Sequence, residues 1–200
     1  MKSRYNNYDE LASAWADDNF DAANGMSTYG DRMKVYPGEP DSIYSYGPHF
    51  CIAKKFRASD TGRHFILFTE RDYSPTTGRH KKAVWSAVSS HEVVCLPHLE
   101  LGGYVSDKDN KAYFVKLTTE GELAELVLSY AVAKLETFAK SCLAKRPHKT
   151  HPEKFLALLA QAHAYVRPFP QITLPDYTDT FEAIKAHCRV QIAKARLITA

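Results

Sequence analysis

The chain has 200 residues, of which 44% are hydrophobic, 24% charged and 12% aromatic. That mixture is ordinary for a globular protein, and a chain of this length buries roughly 70% of its unfolded surface, which excludes both a disordered polymer and a mini-protein dependent on disulfide staples. The formal net charge of +3 is too small to identify a nucleic-acid partner, because such binding depends on how Lys and Arg cluster rather than on their sum.

Residues 7–18, NYDELASAWADD, place Leu11, Ala14 and Trp15 at helical spacing behind acidic first-turn residues, and Asn24-Gly25 ends the polar stretch that follows. Met33 to Tyr36, the turn PGEPD at 37–41 and SIYSY at 42–46 read as two β-segments about a Pro/Gly connection. In the second of these, Tyr44 and Tyr46 share one side of the strand and Ile43 takes the other. FCIAKKF (50–56) and RHFILF (63–68), separated by RASDTG, predict an antiparallel hairpin with a longer loop. So many consecutive strands favour an antiparallel meander over a parallel sheet.

From residue 74 the apolar period changes from two to about 3.6, and Ala83, Val84, Ala87 and Val88 form one stripe that predicts a helix packed on the sheet. HEVVCL (91–96) fits a returning strand, and Gly102-Gly103 followed by SDKDN marks the clearest internal break. Beyond it, Leu123, Leu126, Val127, Tyr130, Ala131, Lys134, Leu135, Phe138 and Cys142 outline an amphipathic helix over roughly 119–144. Another helix starts near Pro152, and a last one runs from about 179 to 197 with Thr178 as N-cap and Phe181, Ile184 and Ile192 inward. The expected fold is α+β: a small antiparallel sheet with a packed helix over residues 1–105, then a mainly helical region, 106–200, docked on the same core.

The stretch DYSPTTGRH (72–80) concentrates the chemistry. Ser74-Pro75 is a helix-start signature, the hydroxyl capping and the proline ring fixing the first helical φ. Such a start offers backbone N–H groups and the positive end of the helix dipole, here flanked by Arg71, Tyr73, Thr76, Thr77, Arg79, Lys81 and Lys82, a set suited to a phosphate or carboxylate. The same residues serve equally as an ordinary cap beside solvated cations. His80, three and four residues before Ala83 and Val84, falls on the buried edge of this helix beside Thr76 and Thr77. His49, in YSYGPHF, closes the Gly47-Pro48 connection and fits the same end of the sheet. Two imidazoles beside a basic pocket are the minimum for metal-independent acid-base work on a phosphodiester, and two hydrogen-bonded structural histidines are the plainer alternative. Tyr44, Tyr46 and Tyr73 add aromatic faces for stacking or for sheet packing.

A second basic run, Lys145, Arg146, His148, Lys149 and His151, reads as solvated surface. Cys95-x2-His98 and His148-x2-His151 make a zinc site only on paper, since nothing in the spacing brings the pairs together. P-loop, GxSxG, HExxH and Rossmann glycine patterns are absent, so no metal and no cofactor are expected. Cys51, Cys95, Cys142 and Cys188 are scattered, contain no CxxC and follow no cleavable signal, which reads as a reducing cytoplasm. Nowhere do about 18 apolar residues run together, so no membrane partner is expected.

The segments IYSYGPHFCIA (43–53) and ILFTERDYSPTTGRHKKAV (66–84) together resemble a family of uncharacterised proteins carried by bacteriophages, plasmids and their bacterial hosts, in which a YSYG-x-HF-x-IA strand pair precedes a YS-x-TT-x-x-H helix start. The likeness covers roughly 40 residues, and Cys51 stands where that pattern has proline. It transfers no mechanism. It implies a mobile-element setting, in which small accessory proteins act on nucleic acid or inhibit host defence. Two functions are therefore expected as alternatives: a binding protein that engages nucleic acid or a nucleic-acid-binding complex, and a metal-independent phosphodiesterase in which His49 and His80 exchange protons while Arg71 or Arg79 holds the phosphate.

Overall fold

The computed structural model describes residues 3–48, 50–71, 74–96, 105–106, 112–113 and 117–198. They form two compact units, Met1–Leu123 and Ala124–Ala200, with the division falling inside one long helix.

The first unit is built on a seven-stranded sheet in chain order: β1 (Ser3–Tyr5), β2 (Met26–Thr28), β3 (Met33–Val35), β4 (Ser42–Ser45), β5 (Cys51–Arg57), β6 (His64–Thr69) and β7 (Val93–Leu96). The four pairings from β2 to β6 are antiparallel, as consecutive strands predict. The sheet is nevertheless mixed, because β1 pairs with β2, and β6 with β7, in parallel. Each parallel pair is spanned by a helix, α1 (Tyr8–Ala16) or α2 (Pro75–Ala87). Strands β1, β2, β4, β6 and β7 therefore point one way and β3 and β5 the other. Both crossovers step in the same direction between strands of the same polarity, so the common right-handed sense puts both helices on one face. There α1 and α2 pack against each other.

Burial follows the sequence pattern. Leu11, Ala12, Ala14 and Trp15 of α1, Ala83 and Val84 of α2, and Met26, Met33, Val35, Ile43, Ile52, Ile66 and Phe68 of the sheet make one core. Trp15 is fully buried, and its indole N–H is satisfied by the Pro40 carbonyl at 3.1 Å. Asn7 caps α1, its Oδ1 accepting from the Glu10 N–H at 2.8 Å, while the Glu10 carboxylate accepts from the Asn6 N–H at 3.2 Å. Gly25, entering β2 at φ +63°, is required sterically, because a Cβ there would lie 2.5 Å from the Val35 carbonyl oxygen. β6 is buried on both sides, Leu67 facing away from the helices as fully as Ile66 faces toward them. A short antiparallel pair, β8 (Val105–Ser106) and β9 (Ala112–Tyr113), follows.

Helix α3 (Glu120–Ala144) begins in this unit. Its first residue, Glu120, only 5% exposed, accepts from Arg63 Nη1 at 2.5 Å and from the Thr61 hydroxyl at 2.7 Å, and its N–H donates to Asp60 at 2.9 Å. The loop between β5 and β6 thus caps the helix start.

The second unit holds the rest of α3 with α4 (His151–Val166) and α5 (Thr178–Ile198). Val127, Ala131, Leu135 and Cys142 of α3, Phe155 of α4, and Ile184 and Cys188 of α5 are among its buried apolar residues, with Phe155 stacked between Phe138 and Phe181. At the start of α5 the Asp176 carboxylate accepts from both the N–H and the hydroxyl of Thr178, so the capping side chain lies two residues ahead of the expected one. All four cysteines are free thiols. Among the described residues no helix is long and apolar enough to cross a membrane.

Candidate functional site

The topology gathers the chemistry at one end of the sheet. β4 and β6 are co-directional, so Ser45 at the end of β4 lies at the same edge as Thr69 at the end of β6, and α2 starts just beyond Thr69. The N-terminus of α1, with Tyr8, comes to the same edge because β1 runs in that direction too. The crevice outside the carboxyl ends of co-directional strands is where open α/β sheets place their ligands.

Ser74 is the N-cap of α2, its hydroxyl accepting from the Thr77 N–H at 3.2 Å. From there a chain of buried hydroxyls runs inward: Ser74 Oγ lies 3.0 Å from Thr77 Oγ1, the Ser45 hydroxyl donates to Thr77 Oγ1 at 3.4 Å, and Ser45 Oγ lies 2.7 Å from His80 Nδ1. The short contact ties His80 Nδ1 to the Ser45 hydroxyl, with the proton on either atom according to the tautomer. The other ring nitrogen, Nε2, is buried without a hydrogen-bond partner. His80 has no exposed surface; its ring packs edge-on to Tyr8 at 4.3 Å between centroids and tilted against Tyr46 at 5.5 Å. Burial, reinforced by the charge of Arg32, pushes the imidazole down to about 4, so His80 is neutral at pH 7.

Tyr46 does not continue the β4 alternation. It adopts φ +61° beyond the strand, its N–H donating to the Arg32 carbonyl at 2.6 Å, and this left-handed turn swings the ring onto His80. Tyr44 stays in the strand and donates to Glu39 at 2.7 Å, stacked edge-on with Tyr36. Burial pushes the Cys51 thiol up to about 12, leaving it without nucleophilic character near neutrality.

The helix start is largely self-satisfied as an anion cradle. Pro75 has no N–H, the Thr77 N–H is used by Ser74 Oγ, and the Gly78 N–H donates to the Ser74 carbonyl at 2.9 Å. Thr77 faces inward and Thr76 is half-buried. Lys81 donates to the carbonyls of Glu70 at 3.2 Å and Arg71 at 2.9 Å, fixing the loop between β6 and α2. What remains outward is Arg71 in that loop and one face of α2 with Arg79, Lys82 and Trp85, the last 49% exposed and edge-on to Phe68 at 5.0 Å. His49 and Tyr73 lie outside the described residues.

Of the paper zinc site, His98 also lies outside the described residues, Cys95 belongs to the first unit, and His148 and His151 belong to the second. Among the described residues no group of three His, Cys, Asp or Glu is arranged to hold a metal ion.

Sequence reasoning missed Ser45 and Tyr8 as the partners of His80. Their separation along the chain leaves no local signal; only the shared polarity of β1, β4 and β6 joins them. It also missed a cavity of about 120 Å³ lined by Asp18, Lys55, Phe56, His64 and His91, where Lys55 bridges Asp18 at 2.5 Å and the Ala16 carbonyl at 3.3 Å.

Comparison of the chain with protein-family models, with curated proteins and with solved structures returns no match.

Proposed function

We propose that this chain is a binding protein without catalysis, which engages nucleic acid, or a complex that handles nucleic acid, through the outward face of α2, in the mobile-element setting that the YSYG and YS-x-TT motifs imply. The observation that carries the reading is the segregation of α2. His80, Thr77, Ala83 and Val84 are buried on one side, while Arg79, Lys82 and the half-exposed Trp85 occupy the other. Cations beside an aromatic face are the elements of non-sequence-specific strand binding, charge tracking the backbone and the ring stacking on a base.

The state of His80 favours binding over phosphodiester cleavage. A general base must reach the proton it abstracts, whereas His80 is sealed beneath Tyr8 and Tyr46 with Nδ1 committed to Ser45. The test is binding of a labelled single-stranded oligonucleotide at low salt. Arg79→Ala/Lys82→Ala is expected to weaken binding about tenfold and to flatten its dependence on salt by about two phosphate contacts, and Trp85→Ala to cost roughly 1–3 kcal/mol if the ring stacks on a base. Unchanged affinity in both variants would remove α2 as the interface.

A further inference from the structure

The basic run after α3 is more than a solvated loop, because α5 adds to it from a distant part of the chain. His187 Nε2 sits 3.3 Å from the Lys145 carbonyl oxygen, and the next residue, Cys188, directs its thiol to the His148 carbonyl at 3.5 Å. Across the start of α4 the rings of His148 and His151 lie 5.8 Å apart. Three histidines and the flanking lysines Lys145, Lys149 and Lys154 thus come from the loop that follows α3, the start of α4 and the middle of α5, all within the second unit. Lys145, His148, Lys149 and Lys154 are exposed, and His151 and His187 are half-buried.

The groups that act on His151 are all of one sign. His151 is held below its ordinary value first by desolvation and then by His148, Lys154, His187 and Lys145, every one a cation or potential cation. The ring of Phe138 on α3 completes its surroundings, and Glu153, in the first turn of α4, is the carboxylate closest in sequence. At the start of α4 the Thr150 side chain makes no capping bond and Pro152 brings no N–H, while His148 Nδ1 accepts from the Thr150 N–H at 3.3 Å and His151 Nδ1 from the His148 N–H at 3.4 Å. Crowded imidazoles give up protons because neighbouring charges repel. A row of phosphates laid across them reverses that balance and draws the protons back.

We propose that this corner, where three imidazoles and three lysines converge, is a second, proton-linked binding site for the phosphate chain of a single-stranded nucleic acid, weak near neutrality and strengthened in mild acid. The site is independent of the α2 face. It makes affinity a function of pH, which arginines and lysines alone do not do, since they remain charged throughout this range.

The test measures binding of a labelled single-stranded oligonucleotide to the full chain by fluorescence anisotropy at about pH 7.5 and about pH 5.5, at roughly 50 mM salt. The wild type is expected to bind about tenfold more tightly in acid, the signature of net proton uptake on binding, with inorganic polyphosphate competing. His148→Gln/His151→Gln/His187→Gln, which keeps hydrogen-bonding capacity, is expected to hold the neutral affinity and lose the acid gain. Lys149→Ala/Lys154→Ala, at exposed positions that fold safely, is expected to weaken binding at both pH values. NMR titration of the three imidazoles is expected to move upward when oligonucleotide is added. Equal wild-type affinity at the two pH values, or an acid gain that survives in the histidine variant, would overturn the proposal, as would failure of polyphosphate to compete. Arg79→Ala/Lys82→Ala separates the two sites. Loss of α2 lowers affinity most at neutral pH, where the second site is weak, and leaves the acid gain in place, so either site can fail without the other.

Discussion

His80 and His151 are both held below the ordinary imidazole range, and desolvation is the leading cause at each, yet the two sites are built to opposite ends. His80 is sealed, meets one cation, Arg32, and sits at the inner end of a hydroxyl chain. His151 is half-buried at the surface and meets two lysines, Lys145 and Lys154, and two further imidazoles, His148 and His187. A proton on His80 has no compensating partner unless the fold opens, so its titration is coupled to stability. A proton on His151 can be compensated by an anion arriving from solvent, so its titration is coupled to binding. Burial and crowding produce shifts of the same sign with different consequences.

The comparison breaks first at His80. His80→Ala is expected to destabilise the first unit by about 3 kcal/mol, through the cavity left between Tyr8 and Tyr46 and the loss of Ser45's partner, read as a lowered denaturation midpoint. An exposed, freely hydrated histidine would cost almost nothing there.

Acid sharpens the same contrast. The folded value of His80, about 4, lies below the unfolded value near 6.5. Its contribution to stability is therefore complete above pH 6.5 and is lost as pH falls toward 4, on the order of 3 kcal/mol across that window. Chemical denaturation across the window is expected to show this slope in the wild type and a flatter one in His80→Asn. An equal slope in both would place the acid sensitivity elsewhere.

Ser45→Ala is expected to cost less, roughly 1–2 kcal/mol, by leaving Nδ1 of His80 buried without its partner while opening little space. The smallest effect falls on the opposite site: His148→Gln/His151→Gln is expected to change stability by no more than about 0.5 kcal/mol at pH 7, as for surface substitutions generally. A large loss in that variant would mean that the second histidine group supports the fold, and the contrast with His80 would fail.

Much of the scaffold is legible locally. Ser74-Pro75 marks the start of α2 because a capping hydroxyl and a fixed φ act within one turn, and Ala83 and Val84 mark its inward side because a helix brings every third or fourth residue to one face. The runs that become β3 to β7 are bounded by Gly, Pro and polar loops that the chain carries openly. β1 and β2 are not legible in this way. Each has three residues, and Met26, Ser27 and Thr28 are all buried without alternation. Their pairing depends on α1 returning the chain alongside itself in parallel, and that, with the parallel β6–β7 pair, made the sheet mixed rather than wholly antiparallel.

By itself, then, the sequence determined where the helices and the strands β3 to β7 lie, that His80 turns inward, and where cations cluster, because each of these depends on neighbours within a turn or two of the chain. The tertiary structure decided what those residues meet. Strand polarity carried Ser45 and Tyr8 to His80 across more than thirty and more than seventy residues respectively, and turned Thr77 from a donor for a ligand into a link of a buried chain. Packing of α5 on the α3–α4 connection added His187 to a basic run that read as solvated surface. Contacts of this kind leave no periodic trace, since their geometry is fixed by the direction in which whole elements run and by what must be buried between them.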